Sequence, residues 1–290
     1  MNRDLFETSL IHTGAGQTAL HLFTAYLFGL WTIKMMVGPI HDLAHLPVEM
    51  VQPVGIIQLL PSGWLGNLMT ETALWGLRVS TGVFCALSMI PRLMIVAGPF
   101  ACLGYTLHQS IIRSFGIVNH PEIAMMISGY VLVLFAGYRW WGVGSSAPSD
   151  RFNPYSVPLV TIALLLTVAY AMVGVNRFFF EAGPYIFASD TLPNFILQRS
   201  LAPNLFGFEI GKHVADWPAV VVIGAKFGFF ASTLIEMTAP LCLISRYYRY
   251  LFFAVMVPFH IVILLTMNIS FFENVLLYIV LIDFSGWLQS

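Results

Sequence analysis

Charged residues are scarce in this chain, and their scarcity excludes an ordinary water-soluble domain. Of the 290 residues, 9% are charged and 58% are hydrophobic, whereas a soluble globular domain carries about 25% charged residues. The mean hydropathy of +0.81 agrees with this bias. A surface so poor in charge suits lipid, where polar side chains are the costly ones. The composition therefore predicts an integral membrane protein.

Several chemical signatures are also missing. The three cysteines, Cys85, Cys102 and Cys242, lie in apolar segments without a CxxC motif, so we interpret them as small core residues. No run of basic residues supports a nucleic-acid partner. No GxSxG, P-loop or GxGxxG motif occurs in a usable context. These absences exclude a disulfide scaffold and the common hydrolase and nucleotide sites.

What the chain does contain is a series of long apolar segments. A spanning helix needs about 20 mostly apolar residues. Eight such segments are predicted, at 17–38, 71–89, 92–112, 121–141, 155–176, 218–239, 248–268 and 271–287. Within the long connections 39–70 and 177–217, Thr191–Ser200 and Phe206–Trp217 are expected as short interfacial helices. The predicted fold is an all-α polytopic transmembrane bundle of about eight spanning helices, forming one domain over 1–290.

The distribution of Lys and Arg predicts an orientation with the N-terminus in the cytoplasm. Strict alternation of the eight spans then places the connection 177–217 outside. It also puts Arg177 at the outer end of the fifth span and Glu236 near the cytoplasmic end of the sixth. Arg92 and Arg139 fall on the cytoplasmic face, and Arg113 falls on the outer face.

Ionisable residues inside the spans are the candidate functional groups, because a charge at membrane depth is costly and usually faces a partner or a ligand. Glu236 is expected to have a cationic or hydrogen-bonding partner on another helix, with Arg78 the first candidate, and a structural ion pair and a site role both stay open for these residues. His260 lies mid-helix in VPFHIVILL with no charge nearby in the sequence, so a site role and a hydrogen-bonded packing role both stay open. Lys226 lies deep in the sixth span.

The sequence HDLAH places His41 and His45 four residues apart, the spacing of a zinc-binding helix. Asp42 is shorter than the usual Glu, and Pro47 would end the helix at once. Glu49 is the one candidate third ligand. We therefore predict no metal site.

The order of several motifs resembles the membrane domain shared by vitamin K-dependent gamma-carboxylases and their bacterial relatives, the HTTM (horizontally transferred transmembrane) family. An acidic helix end is followed by a Phe-His helix and then by an ISFF-like turn. The earlier motifs resemble the family's first outer loop, its Asn-His pair and its Tyr-x-x-x-Gly-Val-Lys-Lys segment. In chain order the matching segments are Pro53–Gly55, Asn119–His120, Tyr170–Arg177, Ile235–Leu241, Pro258–His260 and Met267–Phe272.

The resemblance implies a pocket in the membrane that holds reduced vitamin K, where a lysine deprotonates the hydroquinone. Carried over by position, the catalytic roles fall on Asn119, His120, Arg177 and His260. Arg177, Lys226 and Glu236 would bind the cofactor. The position of the lysine is occupied by Arg177, which stays protonated and cannot act as that base. The carboxylases also carry a large lumenal portion that these 290 residues do not contain, so carboxylation of glutamate is not expected.

Two function classes follow. The first is a membrane protein with an outward-facing pocket for a quinone or another lipid-like ligand; whether it carries out quinol-linked redox or proton-transfer chemistry stays open. The alternative is a non-enzymatic subunit or lipid-binding scaffold of a larger membrane complex. The expected partners are membrane lipids, a quinone and other membrane proteins, and no nucleic acid. A transporter is not favoured, because no repeated broken helices occur.

Overall fold

The computed structural model describes residues 11, 15–38, 40–115, 121–140, 154–181, 190–201, 207–269 and 271–283. Within these residues the chain is helical and no β-strand occurs, which confirms the predicted all-α fold. The described α-helices are α1 Gln17–Val37, α2 Ser62–Leu68, α3 Glu71–Ser88, α4 Met94–Arg113, α5 Pro121–Trp140, α6 Ser156–Asn176, α7 Thr191–Leu201, α8 Ala219–Met237, α9 Arg246–Met267 and α10 Phe272–Leu277.

Six helical segments are long and apolar enough to cross a membrane: Gln17–Val37, Met94–Arg113, Glu122–Arg139, Ser156–Phe180, Ala219–Met237 and Arg246–Met267. Helix α3 has 18 residues but carries Glu71 and Arg78. The eighth predicted span is helical over Phe272–Leu281, while 284–290 lie outside the described residues. Long apolar helices of this kind are those of a multi-pass membrane protein.

The chain forms two compact units. The N-terminal unit comprises Gly14–Ile162, and the C-terminal unit comprises Ala163–Asp283 together with Met1–Thr13. The division falls inside α6. Each unit has its own buried core, so the two are described separately.

In the N-terminal unit, α1 packs on α3, α3 on α4, and α4 on α5. Trp31 is fully buried, and its ring stacks on Tyr105 of α4 with 4.2 Å between the ring centroids. Gly129 of α5 lies against the Trp31 ring, where even a Cβ atom would overlap the indole. A large aromatic on α1 and a glycine on α5 therefore let these helices approach closely.

The predicted connection 39–70 folds into short helices beside the ends of α3 and α4. Its buried side chains, Ile40, Val51 and Ile57, pack with Leu74 of α3 and Ile111 of α4. Two backbone amides of the connection also form hydrogen bonds with Ser114, just after α4. The Gln52 amide donates to the Ser114 carbonyl at 2.7 Å, and the Val54 amide donates to the Ser114 hydroxyl at 3.2 Å.

In the C-terminal unit, α7 confirms the short helix expected at Thr191–Ser200. Of the segment expected at Phe206–Trp217, Ile210–Asp216 forms a 3-10 helix, while Phe206 lies outside the described residues. Leu192 and Ile196 of α7 and Val214 pack against Ile263 and Met267 near the end of α9.

Asn268 fixes the end of α9. It adopts a left-handed conformation with φ of 55°, which asparagine tolerates better than most residues. Its side-chain amide donates to the Phe208 carbonyl at 2.8 Å, and its side-chain oxygen accepts from the Phe208 amide at 2.8 Å. Asn268 thus ends α9 and also holds the segment around Phe208 beside the end of this helix.

Helices α6 and α8 end at the same level, which corrects the strict alternation predicted from the sequence. Arg177, just after α6, contacts Glu236 in the last turn of α8. A Cβ atom on Gly174 would touch the backbone of Met237. Alternation would instead place the Arg177 and Glu236 ends on opposite membrane faces. The connection between them therefore returns along the 19 residues of α8, a distance of about 28 Å.

Candidate functional site

An ion pair at the shared end of α6 and α8 is the best-defined polar contact of the C-terminal unit. Arg177 begins one π-helical turn, Arg177–Glu181. Its Nη1 atom donates to both carboxylate oxygens of Glu236, at 2.9 Å and 2.7 Å. The Glu236 side chain is 2% exposed and that of Arg177 is 19% exposed. A carboxylate buried this deeply needs a charged partner, and Arg177 supplies it.

The predicted partner of Glu236 was Arg78, and that pairing is wrong. Arg78 belongs to the N-terminal unit, where it caps the end of α1. Its Nε donates to the Met35 carbonyl at 2.5 Å, and a second nitrogen donates to the Met36 carbonyl. These carbonyls have no partner within the helix, because the last four of any helix lack one. Arg78 therefore has a local structural role.

A chain of buried polar side chains lies next to the ion pair. The Tyr278 hydroxyl donates to the Tyr170 hydroxyl at 2.6 Å. It also lies 3.4 Å from Nδ1 of His260, and this nitrogen is 2.6 Å from the Met256 carbonyl. The contact with a carbonyl places the proton on Nδ1, since a carbonyl can only accept. His260 is thus a hydrogen-bonded histidine in an aromatic cage of Tyr170, Phe259, Phe271 and Tyr278.

A cavity of about 320 Å³ lies between α7, α8 and α9. Its walls are apolar, and they include Leu192, Ile196, Trp217, Gly228, Phe229 and Phe259. Two of these rings connect the cavity to the polar groups. The guanidinium of Arg177 stacks over Phe229 with 5.6 Å to the ring centroid, and Phe259 lies 5.7 Å from the His260 ring. Phe229 thus touches both the cavity and Arg177, and Phe259 touches both the cavity and His260, while neither Arg177 nor His260 is among the lining residues.

Of the sequence-derived site residues, the structure brings Arg177 and Glu236 into direct contact and places His260 in the same unit, and none of the three is among the residues that line the cavity. Lys226 lies on α8, half-buried, one turn before Phe230. Asn119 and His120 lie outside the described residues. Tyr170 was singled out only as the first residue of a family motif, and Tyr278 was not singled out. Burial was the missing signal, since a hydroxyl in an apolar run cannot be told from an interfacial tyrosine by sequence.

A second polar cluster lies in the N-terminal unit and includes Lys34 and His108, two ionisable residues that the sequence places inside spans. Lys34 of α1 pairs with Glu122 of α5 at 2.5 Å, and Arg113 of α4 lies 3.7 Å from the same carboxylate. His108 is 1% exposed, and among the described residues neither of its ring nitrogens has a hydrogen-bond partner. Lys34 is therefore part of an ion-pair network.

The HDLAH sequence does not form the helix that a zinc site needs. Ile40–His45 is a 3-10 helix with about three residues per turn, so His41 and His45 do not share one face. His41 instead contacts Arg78 at 3.2 Å through Nδ1. Within the described ranges, no group of three or more His, Cys, Asp or Glu side chains is arranged to hold a metal ion.

In comparisons with known proteins, no family model, no curated protein and no solved structure matches this chain.

Proposed function

We propose that the C-terminal unit binds a lipid-like ligand, with an apolar tail in the cavity between α7, α8 and α9 and a polar head towards Arg177. A quinone is the expected ligand class. The observation that carries the proposal is the position of Arg177. Its Nη1 atom pairs with Glu236, its guanidinium lies over Phe229, and Phe229 lines the cavity.

The donor inventory of Arg177 favours a head group with oxygen acceptors. A guanidinium has five N–H donors on three nitrogens. Among the described residues, only Nη1 makes a hydrogen bond, which leaves Nε and Nη2 for a ligand. A quinone carbonyl accepts such a bond, and a saturated chain does not. The cavity volume of about 320 Å³ lies at the lower end of the range for small-molecule sites, which is about 300–1,000 Å³.

The same geometry limits the chemistry. Arg177 stays protonated, so its role is to bind a head group and not to deprotonate a hydroquinone. His260 is the neighbouring group suited to exchange a proton, since its ring lies against Phe259 of the cavity wall and next to the Tyr278–Tyr170 pair. Resemblance to the carboxylase-like domain supports quinol chemistry at this place. Binding is the primary proposal, and proton transfer at His260 depends on it.

One observation favours the alternative of a non-enzymatic subunit. Gly224 and Gly228 are four residues apart on α8, and a Cβ at either would meet open space. Small residues at this spacing let two membrane helices approach closely. A partner helix on this face would occupy the volume that the lipid proposal assigns to a tail.

Trp217 gives a direct optical test, because it lines the cavity and quinones quench indole fluorescence on contact. Titration of the purified protein with a decyl-tailed benzoquinone is expected to give saturable quenching. This component should disappear in Trp217→Phe. In Arg177→Lys, which keeps the charge but loses the extra donors, the affinity should fall about tenfold, the effect of losing one hydrogen bond of about 1.4 kcal/mol.

Two glycine variants form the matched control. A Cβ at Gly228 meets open space and Gly228 lines the cavity, so Gly228→Leu places its side chain there, and Gly76→Leu on α3 makes the same change at an open position of the N-terminal unit. The proposal requires that Gly228→Leu abolishes the saturable quenching and that Gly76→Leu preserves it. Quenching that rises linearly with quinone in every variant would reflect partition into the detergent and would refute the proposal. A stoichiometric protein partner that is lost only in Gly228→Leu would establish the subunit alternative.

A further inference from the structure

A second cavity lies in the N-terminal unit and has no role in the proposal above. It measures about 700 Å³ and lies between α1, α4, α5 and the turn before α4. Its inner walls are apolar, with Leu20, Met94, Ile95, Leu132 and Phe135 among them. The volume is more than twice that of the cavity in the C-terminal unit.

Basic side chains gather at one end of this cavity. Arg92 lies in the turn between α3 and α4, Arg139 lies in the last turn of α5, and His21 lies in the second turn of α1. These positions share one end of the helices, because α1 and α4 begin there and α5 ends there. Among the described residues that line the cavity, none is Asp or Glu. The cavity thus has an apolar interior and a cationic mouth.

The two arginines differ in their contacts: Arg139 is held by a neighbouring tyrosine, and Arg92 is exposed. Arg139 stacks over the Tyr155 ring with 5.0 Å to its centroid, and its Nη2 donates to the Tyr155 hydroxyl at 3.1 Å. This stacking fixes the guanidinium plane at the mouth. Arg92 is exposed, and in the described part of the chain it has no ion-pair partner. A fixed guanidinium beside an unpaired one suits a phosphate, which arginine binds through two parallel hydrogen bonds.

We propose that this cavity is a binding site for an anionic phospholipid, with its phosphate at Arg92 and Arg139 and one acyl chain along the walls formed by α1, α4 and α5. The apolar lining favours a lipid over a free phosphate ion, which would leave most of the 700 Å³ unfilled. The charged side chains among the described lining residues are those of Arg92 and Arg139, which favours an anionic lipid over a zwitterionic one, whose ammonium group they would repel.

Thermal stability in detergent provides the test, with three added probes: phosphatidylglycerol, phosphatidylcholine and inorganic phosphate. Phosphatidylglycerol is expected to raise the Tm of the purified protein more than phosphatidylcholine does, and the increase should shrink as salt is added. The double variant Arg92→Gln/Arg139→Gln should weaken phosphatidylglycerol binding at least tenfold. Arg246→Gln, at an exposed arginine of the C-terminal unit, should leave it unchanged.

Two further results would overturn the proposal. If inorganic phosphate alone gave the same rise in Tm, the site would be a simple anion site without a place for the chain. If phosphatidylcholine matched phosphatidylglycerol, the cavity would be filled by bulk lipid. Ala136→Trp narrows the apolar wall without changing the charge, and it should reduce phosphatidylglycerol binding. Each outcome is independent of the quinone titration, since no residue is shared between the two cavities.

Discussion

At the scale of single residues, the pair Arg177–Glu236 carries most of the argument. A carboxylate 2% exposed in an apolar helix would be costly if it were ionised without a partner. The guanidinium of Arg177 offsets part of this free-energy cost by donating hydrogen bonds to the carboxylate from one of its three nitrogens, Nη1. The proposed second role of the pair depends on the remaining donors and on the position of the guanidinium over Phe229, a residue that lines the cavity.

Glu236→Gln should therefore be strongly destabilising. The change leaves a buried guanidinium without its counter-charge, and breaking a buried pair typically costs about 3–5 kcal/mol. The expected result is a marked fall in Tm in detergent. The double variant Arg177→Met/Glu236→Met should recover most of the loss, because it removes both buried charges. Equal stability of Glu236→Gln and the wild type would mean that the pair is solvated.

The sequence predicted that Glu236 needs a partner but not which one. Its partner lies 59 residues away, and Arg78 was an equally charged candidate on another helix. Only the direction of α8 relative to α6 decides between them. The same limit applies to Lys34, whose partner Glu122 is 88 residues away.

At the scale of elements, the apolar composition predicted where the long helices lie. It did not predict the conformation of the segments that connect them. Runs of apolar residues predicted α1, α4, α5, α6, α8 and α9 to within a few residues. The amphipathic segment at 191–200 was also predicted, as α7. HDLAH has the spacing of a helical metal site, but Gly38 and Pro47 confine it to a single short 3-10 segment.

Asn268 links two elements, and its loss should loosen one of them. Asn268→Ala removes both hydrogen bonds to Phe208 and makes the left-handed conformation at this position less favourable. The amides of Gly207–Asp216 should then exchange with solvent faster, while those in the middle of α9 stay protected. Hydrogen–deuterium exchange with mass spectrometry measures both. Asn268→Asp keeps the acceptor for the Phe208 amide and should show a smaller effect; equal exchange in all three proteins would show that other contacts hold the segment.

At the scale of the whole molecule, the parallel course of α6 and α8 changes the expected topology. Helix α9 runs antiparallel to α8, so Tyr247 near its start lies at the Arg177 end, and Asn268 lies at the other end with Phe208. Glu209, next to Phe208, is thus separated from Arg177 by the length of α9. Counting spans from hydropathy cannot detect this return, because the connection contains no apolar run of spanning length.

Accessibility of introduced cysteines distinguishes the two topologies. Phe180→Cys and Tyr247→Cys should react with a membrane-impermeant maleimide from one side of the membrane, and Glu209→Cys should react from the other. The native background is low, since Cys85, Cys102 and Cys242 are buried. Burial raises the pKa of the Cys242 thiol to about 12, so little reactive thiolate forms at neutral pH. If Phe180→Cys and Glu209→Cys were labelled from the same side, the helices would cross the membrane in strict alternation, and the topology described above would be wrong.

The central claim is that the C-terminal unit holds a lipid-like ligand beside Arg177, and native mass spectrometry of the purified protein tests it most directly. The account predicts one bound molecule per chain, identified after extraction with organic solvent as a quinone. This molecule should be retained in Gly76→Leu and lost in Gly228→Leu. A wild-type protein that carries no defined small molecule, or a Gly228→Leu variant that keeps it at the wild-type ratio, would contradict the claim.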